Sequence, residues 1–155
     1  MRRRATVRRV VTPDAKYGSM LVAKFINYIM LEGKKSIAER AVYEALAESE
    51  NKLKRNCIEL FTELVDKITP RVEVRSRRVG GATYQVPVEV GDVRGIALAL
   101  KWLTYAVRKQ SGKTLSEKIV KSLIEIQNGT GWAFKKKEEV FRMAEANKAF
   151  ASYSW

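Results

Sequence analysis

Residues 72–90 read VEVRSRRVGGATYQVPVEV, and this stretch decides the fold. Its apolar residues alternate with polar ones, a period of two that is typical of β-strands, whereas both flanks repeat at about 3.6 residues. Gly80-Gly81 separates the two alternating runs and predicts the tight turn of a β-hairpin. A two-stranded hairpin is marginally stable in water. We therefore expect it to lean on a helical body or on a ligand.

Helical spacing predicts three helices before the hairpin and three after it. The first five are predicted to begin at residues that favour N-caps, namely Ser19, Ser36, Asn56, Asp92 and Thr114. Ser36, Asn56 and Thr114 are each followed three residues later by glutamate, the spacing of a capping box. The sixth helix is predicted to run from about Trp132 to Asn147 or beyond. Gly95 should weaken the first turn of the fourth helix.

The length of the chain, 155 residues, is that of about one domain. We predict a mainly α fold, a single six-helix domain over residues 13–155 with a protruding two-stranded β-hairpin between the third and fourth helices. Residues 1–12 contain five arginines and no acid, and they show no hydrophobic period. This composition predicts a disordered, flexible basic arm.

Charge and composition restrict the function. Lys and Arg number 30 against 17 Asp and Glu, which gives a net charge of +13 and favours a polyanionic partner, with nucleic acid ahead of an anionic membrane. The chain has one cysteine and no histidine, so an internal disulfide, a multi-cysteine metal site and most hydrolase chemistries are excluded. We expect no enzyme activity, cofactor, metal or small-molecule substrate. Neither a secretory signal nor a membrane-spanning stretch is evident, so we expect an intracellular protein.

The basic residues fall into five clusters, which are expected to contact an extended partner. The predicted RNA-binding residues are Arg2, Arg3, Arg4, Arg8, Arg9, Lys34, Lys35, Arg75, Arg77, Arg78, Arg94, Lys101, Arg108, Lys135, Lys136, Lys137 and Arg142. Strand alternation places Arg75 and Arg77 on one face of the hairpin. Helical and hairpin surfaces together favour structured RNA, because a duplex-DNA reader more often shows one recognition helix or a zinc module.

Three other features have competing interpretations. Residues 111–114, SGKT, resemble the end of a phosphate-binding loop, but Val107 stands where that motif requires glycine, so a helix-connecting turn with Thr114 as N-cap is favoured. Cys57 has no base or second thiol nearby in the pattern and is interpreted as an inert apolar residue. Tyr84 either stacks on a base or packs inward, and its register with the apolar residues favours packing.

The hairpin sequence, residues 72–89, closely resembles the family of protein seven of the small ribosomal subunit. Three further blocks carry the same resemblance in the family's order, KYG at 16–18, GKKS at 33–36 and RMAEANKAFA at 142–151. The likeness extends over nearly the whole chain, and the sequence is similar to bacterial-type members. It departs from the family's pattern at residues 91–95, at Ser152 and Ser154, and at Trp132, where smaller residues are usual.

The resemblance implies a helical body with a β-ribbon and a structural role without catalysis. Family members are primary binders of small-subunit ribosomal RNA that start assembly of the subunit's head. They lie near the exit-site transfer RNA and the messenger RNA path, and they contact neighbouring proteins of the head and platform. The implied location is a ribosome, in the cytoplasm or in an organelle matrix. The alternative hypothesis from the residues is a nucleoid-type protein that binds duplex DNA.

Overall fold

A computed structural model describes residues 10–153 of the chain. Its elements are, in chain order, α1 (Met20–Ile29), α2 (Lys35–Leu53), α3 (Cys57–Ile68), β1 (Val72–Val79), β2 (Ala82–Glu89), α4 (Asp92–Lys109), α5 (Leu115–Gln127), α6 (Gly131–Ala146) and a short 3-10 helix, η1 (Lys148–Tyr153). The predicted mainly helical fold with a hairpin between the third and fourth helices is confirmed. Most of the predicted arm, residues 1–9, lies outside the described residues.

Three of the predicted helix starts are confirmed. The side chains of Ser19, Asn56 and Thr114 each accept a hydrogen bond from a backbone N–H in the first turn of the helix that follows. Each bond satisfies one of the N–H groups that a helix leaves without an internal partner. The local sequence signal therefore determines where these three helices begin.

Two predicted helix starts are wrong. The residue before α2 is Lys34 and the residue before α4 is Gly91, and neither makes a side-chain cap. A turn in which the backbone N–H of Lys34 bonds to the carbonyl of Leu31 brings the chain into the helix before Ser36. Asp92 is the first residue of α4 rather than its cap, a position where a carboxylate is favoured by the helix dipole.

The core is built by the helices, and α1, α3 and α5 lie at its centre because each of them packs against both α2 and α4. Fully buried side chains from these elements include Phe25, Phe61, Leu100, Leu103 and Leu123. Dense burial of this kind supplies most of the stability of a helical domain. No helix within residues 10–153 has the length and apolarity that crossing a bilayer requires.

The hairpin leans on the helical body. Gly80 and Gly81 take φ values of 57° and 88°, the left-handed backbone that a two-residue turn requires. β1 packs against α6, and η1 packs on β2, where the Tyr84 ring centroid lies 5.3 Å from those of Phe150 and Tyr153. Tyr84 therefore packs against η1, the alternative that its register favoured.

A buried carboxylate fixes the segment before α1 to α2. Asp14 is only 7% exposed, and it accepts hydrogen bonds from the backbone N–H groups of Lys16 and Tyr17. The hydroxyl of Tyr43, on α2, donates to the same carboxylate at 2.6 Å. This hydrogen bond, together with burial of the phenol, raises the pKa of Tyr43 to about 12.

We predict that Tyr43→Phe lowers the free energy of unfolding by about 1.5 kcal/mol at neutral pH, because a hydrogen bond to a charged group is lost. Urea denaturation measures this, with Tyr28→Phe as the control because Tyr28 is on the surface.

Since the pKa of Tyr43 is raised on folding, the stability that the Tyr43 hydroxyl contributes is complete below pH 10 and is lost as the pH rises towards 12. Tyr43→Phe should therefore lose less stability than the wild type over that interval. Equal losses in the two proteins would contradict this account.

Gly95 brings α4 close to the link between α3 and β1. A Cβ placed on Gly95 would meet the Cγ2 atom of Thr69 at 2.8 Å. The Thr69 side chain cannot easily rotate away, because its hydroxyl donates to the carbonyl of Val65 at 2.8 Å. The glycine that should weaken the first turn of α4 is thus the residue that allows the helix to dock.

We predict that Gly95→Ala lowers the free energy of unfolding by about 1 kcal/mol, because overpacking outweighs the gain in helix propensity. Thermal or urea denaturation measures the effect. Thr69→Ser removes the obstructing methyl group and keeps the hydroxyl, so adding Gly95→Ala to Thr69→Ser should be neutral or stabilising. If Gly95→Ala destabilises both backgrounds equally, the contact with Thr69 is not the cause.

Candidate nucleic-acid interface

Acidic and basic residues are unevenly distributed over the helices. α2 and α3 contain only four of the 30 bases but seven of the 17 acids, namely Glu39, Glu44, Glu48, Glu50, Glu59, Glu63 and Asp66. α4 contains one acid and four bases, namely Arg94, Lys101, Arg108 and Lys109. Because α1, α3 and α5 lie between α2 and α4, these two helices form opposite sides of the body. The α4 side, with four bases and one acid, is more cationic than the α2 side, with three bases and four acids.

The predicted basic residues of α4 lie on one stripe of the helix. Arg94, Lys101 and Arg108 are spaced by seven residues, which places them on the same face over roughly 21 Å. All three are exposed, and they line a concave groove with a volume of about 710 Å³ between α4, the end of α1 and the start of α6. We call this surface the α4 groove. Within residues 10–153, Lys101 and Arg108 form no ion pair with a carboxylate.

Arg75 and Arg94 are partly engaged by an acid that the sequence did not single out. Glu73, on β1, is 8% exposed and accepts hydrogen bonds from the Nε atoms of Arg75, at 2.6 Å, and Arg94, at 3.0 Å. The ion pair with Arg94 joins the base of the hairpin to the first turn of α4, whereas the ion pair with Arg75 lies within β1. Both arginine side chains remain about half exposed, so the rest of each guanidinium is open to solvent.

The hairpin arginines lie on two different faces. Arg75 and Arg77 share a face as predicted, but across the strands they pair with Val86 and Tyr84, so their face is the one that packs on the body. Arg77 donates a hydrogen bond to the backbone carbonyl of Tyr153. Arg78 lies on the opposite face and is exposed. Of the three, Arg78 is the most open to a polyanion.

The lysines at the start of α2 are exposed and form ion pairs. Lys34 contacts Glu32 at 2.6 Å, and Lys35 contacts Glu39 at 3.5 Å. Ion pairs between exposed side chains contribute about 0–1 kcal/mol, so phosphate can compete with these carboxylates. Both lysines therefore remain available to an anion.

The basic residues of α6 do not share one environment. Lys135 and Arg142 are exposed and seven residues apart, so they lie on one side of the helix. Lys136 pairs with Glu139 at 2.9 Å. Lys137 is half-buried and donates to the carbonyl of Lys67 at 2.7 Å, so it is less open to RNA than the exposed side chain that an RNA-binding residue requires. Burial lowers the pKa of Lys137, and the nearby charges of Arg71 and Lys67 lower it further.

The other candidate sites have structural explanations. The hydroxyl of Thr114 accepts from the N–H of Glu117 and caps α5, as predicted for the turn at residues 111–114. Cys57 is buried, and burial raises the pKa of its thiol, with Glu50 adding to the effect. Raising the pKa disfavours the reactive thiolate. No cluster of potential metal ligands occurs in residues 10–153, and the predicted Arg2, Arg3, Arg4, Arg8 and Arg9 lie outside that range.

Sequence reasoning missed Tyr105 of the α4 groove, whereas Trp132 stood out in the sequence as a departure from the family's pattern. Tyr105 falls on the same stripe, between Lys101 and Arg108, and its ring contacts Trp132 from α6. The position of Tyr105 relative to the basic residues is visible in the sequence. Its contact with Trp132 is not, because it depends on how α6 packs.

These elements define a strongly basic, mainly helical protein with a hairpin docked on its body and a cationic groove along one helix. The sequence matches the family Ribosomal protein S7p/S5e over residues 1–148, and the chain belongs to this family. The predicted resemblance is thereby confirmed.

Relatives match over nearly their full length. The chain is 53% identical over 154 residues to small ribosomal subunit protein uS7 of Paracoccus denitrificans, with 99% of both chains covered. It is 52% identical over 154 residues to the protein of the same name from Ruegeria pomeroyi, again with 99% of both covered. The corresponding protein of Sulfurimonas denitrificans is 50% identical over 155 residues, which cover both chains completely.

Glu73→Gln should lower the free energy of unfolding by about 1–2 kcal/mol, because two arginines lose a charged partner that is itself buried. Chemical denaturation measures this loss. Glu89→Gln is the matched control, since Glu89 is an exposed acid on the partner strand of the same hairpin. Equal stability of the two variants would show that the Glu73 ion pairs do not hold the hairpin to α4.

Proposed function

We propose that the protein is a structural constituent of the small ribosomal subunit that binds the subunit's RNA and neighbouring ribosomal proteins. Family membership supports this role, as do relatives at 50–53% identity named small ribosomal subunit protein. The observation that carries the RNA-binding part is the α4 groove, because Lys101 and Arg108 are exposed there without a carboxylate partner in residues 10–153. Exposed cations in that arrangement attract phosphate.

The proposed mechanism is neutralisation of RNA strands that converge on the protein. Cations lie on separate surfaces, with Lys101 and Arg108 on α4, Arg78 on the hairpin, and Lys135 and Arg142 on α6. Each phosphate contact releases condensed counterions, so several contacts together favour binding strongly at low salt. A rigid helical body holds these surfaces at fixed positions, which allows separate RNA helices to pack against each other. As a primary binder, the protein would in this way start assembly of the head.

The proposed position of the protein in the ribosome follows from the family resemblance. We place the hairpin and α6 nearest the exit-site transfer RNA and the messenger RNA path, with proteins of the head and platform as neighbours. The basic arm, residues 1–12, is proposed to become ordered on RNA. The ribosome that holds the protein would be cytoplasmic, and the same role fits an organelle matrix.

Competition between a small-subunit head RNA fragment and duplex DNA, across a salt series, tests this function. The full-length protein should prefer the RNA fragment at every salt concentration, and the affinity should fall steeply as salt rises. Fluorescence anisotropy with one labelled nucleic acid measures both quantities. Equal affinity for RNA and DNA would instead support a nucleoid-type protein and overturn the proposal.

Matched charge variants locate the interface in the same assay. Lys101→Gln with Arg108→Gln should weaken RNA binding and reduce the slope of log K against log salt by about 1.5. Lys52→Gln with Arg55→Gln removes the same two charge types near the end of α2, where both side chains already pair with glutamates. This control should bind like the wild type. If the two double variants behave alike, the α4 groove is not the interface.

A further inference from the structure

The α4 groove contains a pair of aromatic side chains as well as cations. The ring centroids of Tyr105 and Trp132 lie 4.3 Å apart, with an angle of 46° between the ring planes. Tyr105 is 43% exposed, whereas Trp132 is half-buried and packs against the core. Trp132 is thus held by the body, and Tyr105 rests on it at the surface.

The aromatic pair is flanked by positive charge on both sides. Lys101 and Arg108 lie one turn before and about one turn after Tyr105 on the same stripe, roughly 10 Å from each other along the helix axis. The ammonium group of Lys109 lies 4.7 Å from the centroid of the Tyr105 ring. The Lys109 side chain is exposed and flexible, so a base can displace its ammonium group from the Tyr105 ring. The displaced ammonium group can then bind a phosphate.

An unpaired nucleotide has the chemistry that this arrangement accepts. Its base presents a π-face for stacking on aromatic side chains, and the phosphates on either side of it carry negative charge. In a duplex the bases are stacked within the helix and offer no free face, so paired RNA or DNA would use the cations and leave the aromatic pair unused.

We propose that the α4 groove binds an unpaired RNA nucleotide, with its base stacked on Tyr105 and Trp132 and its flanking phosphates held by Lys101 and Arg108. This site rests on the proposed RNA-binding function and narrows it. The cations supply affinity for any strand, whereas the aromatic pair selects single-stranded positions such as a loop or bulge.

Tyr105→Leu tests the stacking directly, because it removes the aromatic ring and keeps a good helix former at an exposed position. The probe is a short single-stranded oligouridine RNA with one central 2-aminopurine, bound by the full-length protein. Tyr105→Leu should weaken binding about tenfold. The slope of log K against log salt should stay unchanged, because no charge is removed. On saturation, 2-aminopurine emission should be quenched by the wild type and not by Tyr105→Leu.

Two variants control the measurement. Tyr105→Phe keeps the ring and should bind and quench like the wild type. Phe141→Leu removes a 56% exposed aromatic ring from α6 outside the groove, and it should also behave like the wild type. Circular dichroism verifies that all variants keep their helices, and loss of helicity in Tyr105→Leu alone would show that the ring is structural and overturn the site.

The outcomes separate this inference from the proposed function. If Tyr105→Leu binds the probe as tightly as the wild type, or if the wild type leaves 2-aminopurine emission unchanged, the stacking site is wrong. The preference for head RNA over duplex DNA could still hold in that case. If that preference is absent in the wild type, the proposed function fails first, whatever Tyr105→Leu does.

Discussion

The structure depends on one constraint, which is that lysine and arginine side chains cannot be buried without a partner. The apolar core that the helices build excludes them, so a chain with a net charge of +13 displays most of its cations at the surface. The acids compensate this charge unevenly, because many of them lie on α2 and α3. The body therefore has one strongly cationic side, formed by α4, and a polyanion is attracted to that side.

The second determinant is the attachment of the hairpin. Glu73 joins β1 to the first turn of α4, and Tyr84 packs on η1 at the end of the described chain. Gly95 lets α4 approach the link that leads into β1. These contacts hold the hairpin in a defined position against the helical body.

Local signals were sufficient for much of the fold. The change of period at residues 72–90 and the turn at Gly80-Gly81 predicted the hairpin, and three caps predicted helix starts, because each signal acts within a few residues. Tertiary contacts decided the rest. Lys137 is half-buried because the packing of α6 brings its amine to the carbonyl of Lys67, and Arg94 pairs with Glu73 because α4 docks beside the base of the hairpin. No local pattern reports such neighbours, which is also why the contact between Tyr105 and Trp132 could not be anticipated.

The proposed RNA-binding surface is the cationic side of the body, and not the acid-rich side. Ultraviolet cross-linking of the full-length protein to small-subunit head RNA, followed by mass spectrometry of the cross-linked peptides, tests it most directly. Cross-links are expected in β1, β2, α4 and α6, with few in residues 39–66. Cross-links confined to residues 39–66 would contradict it, because the RNA would then lie against the part of the surface where acids outnumber bases.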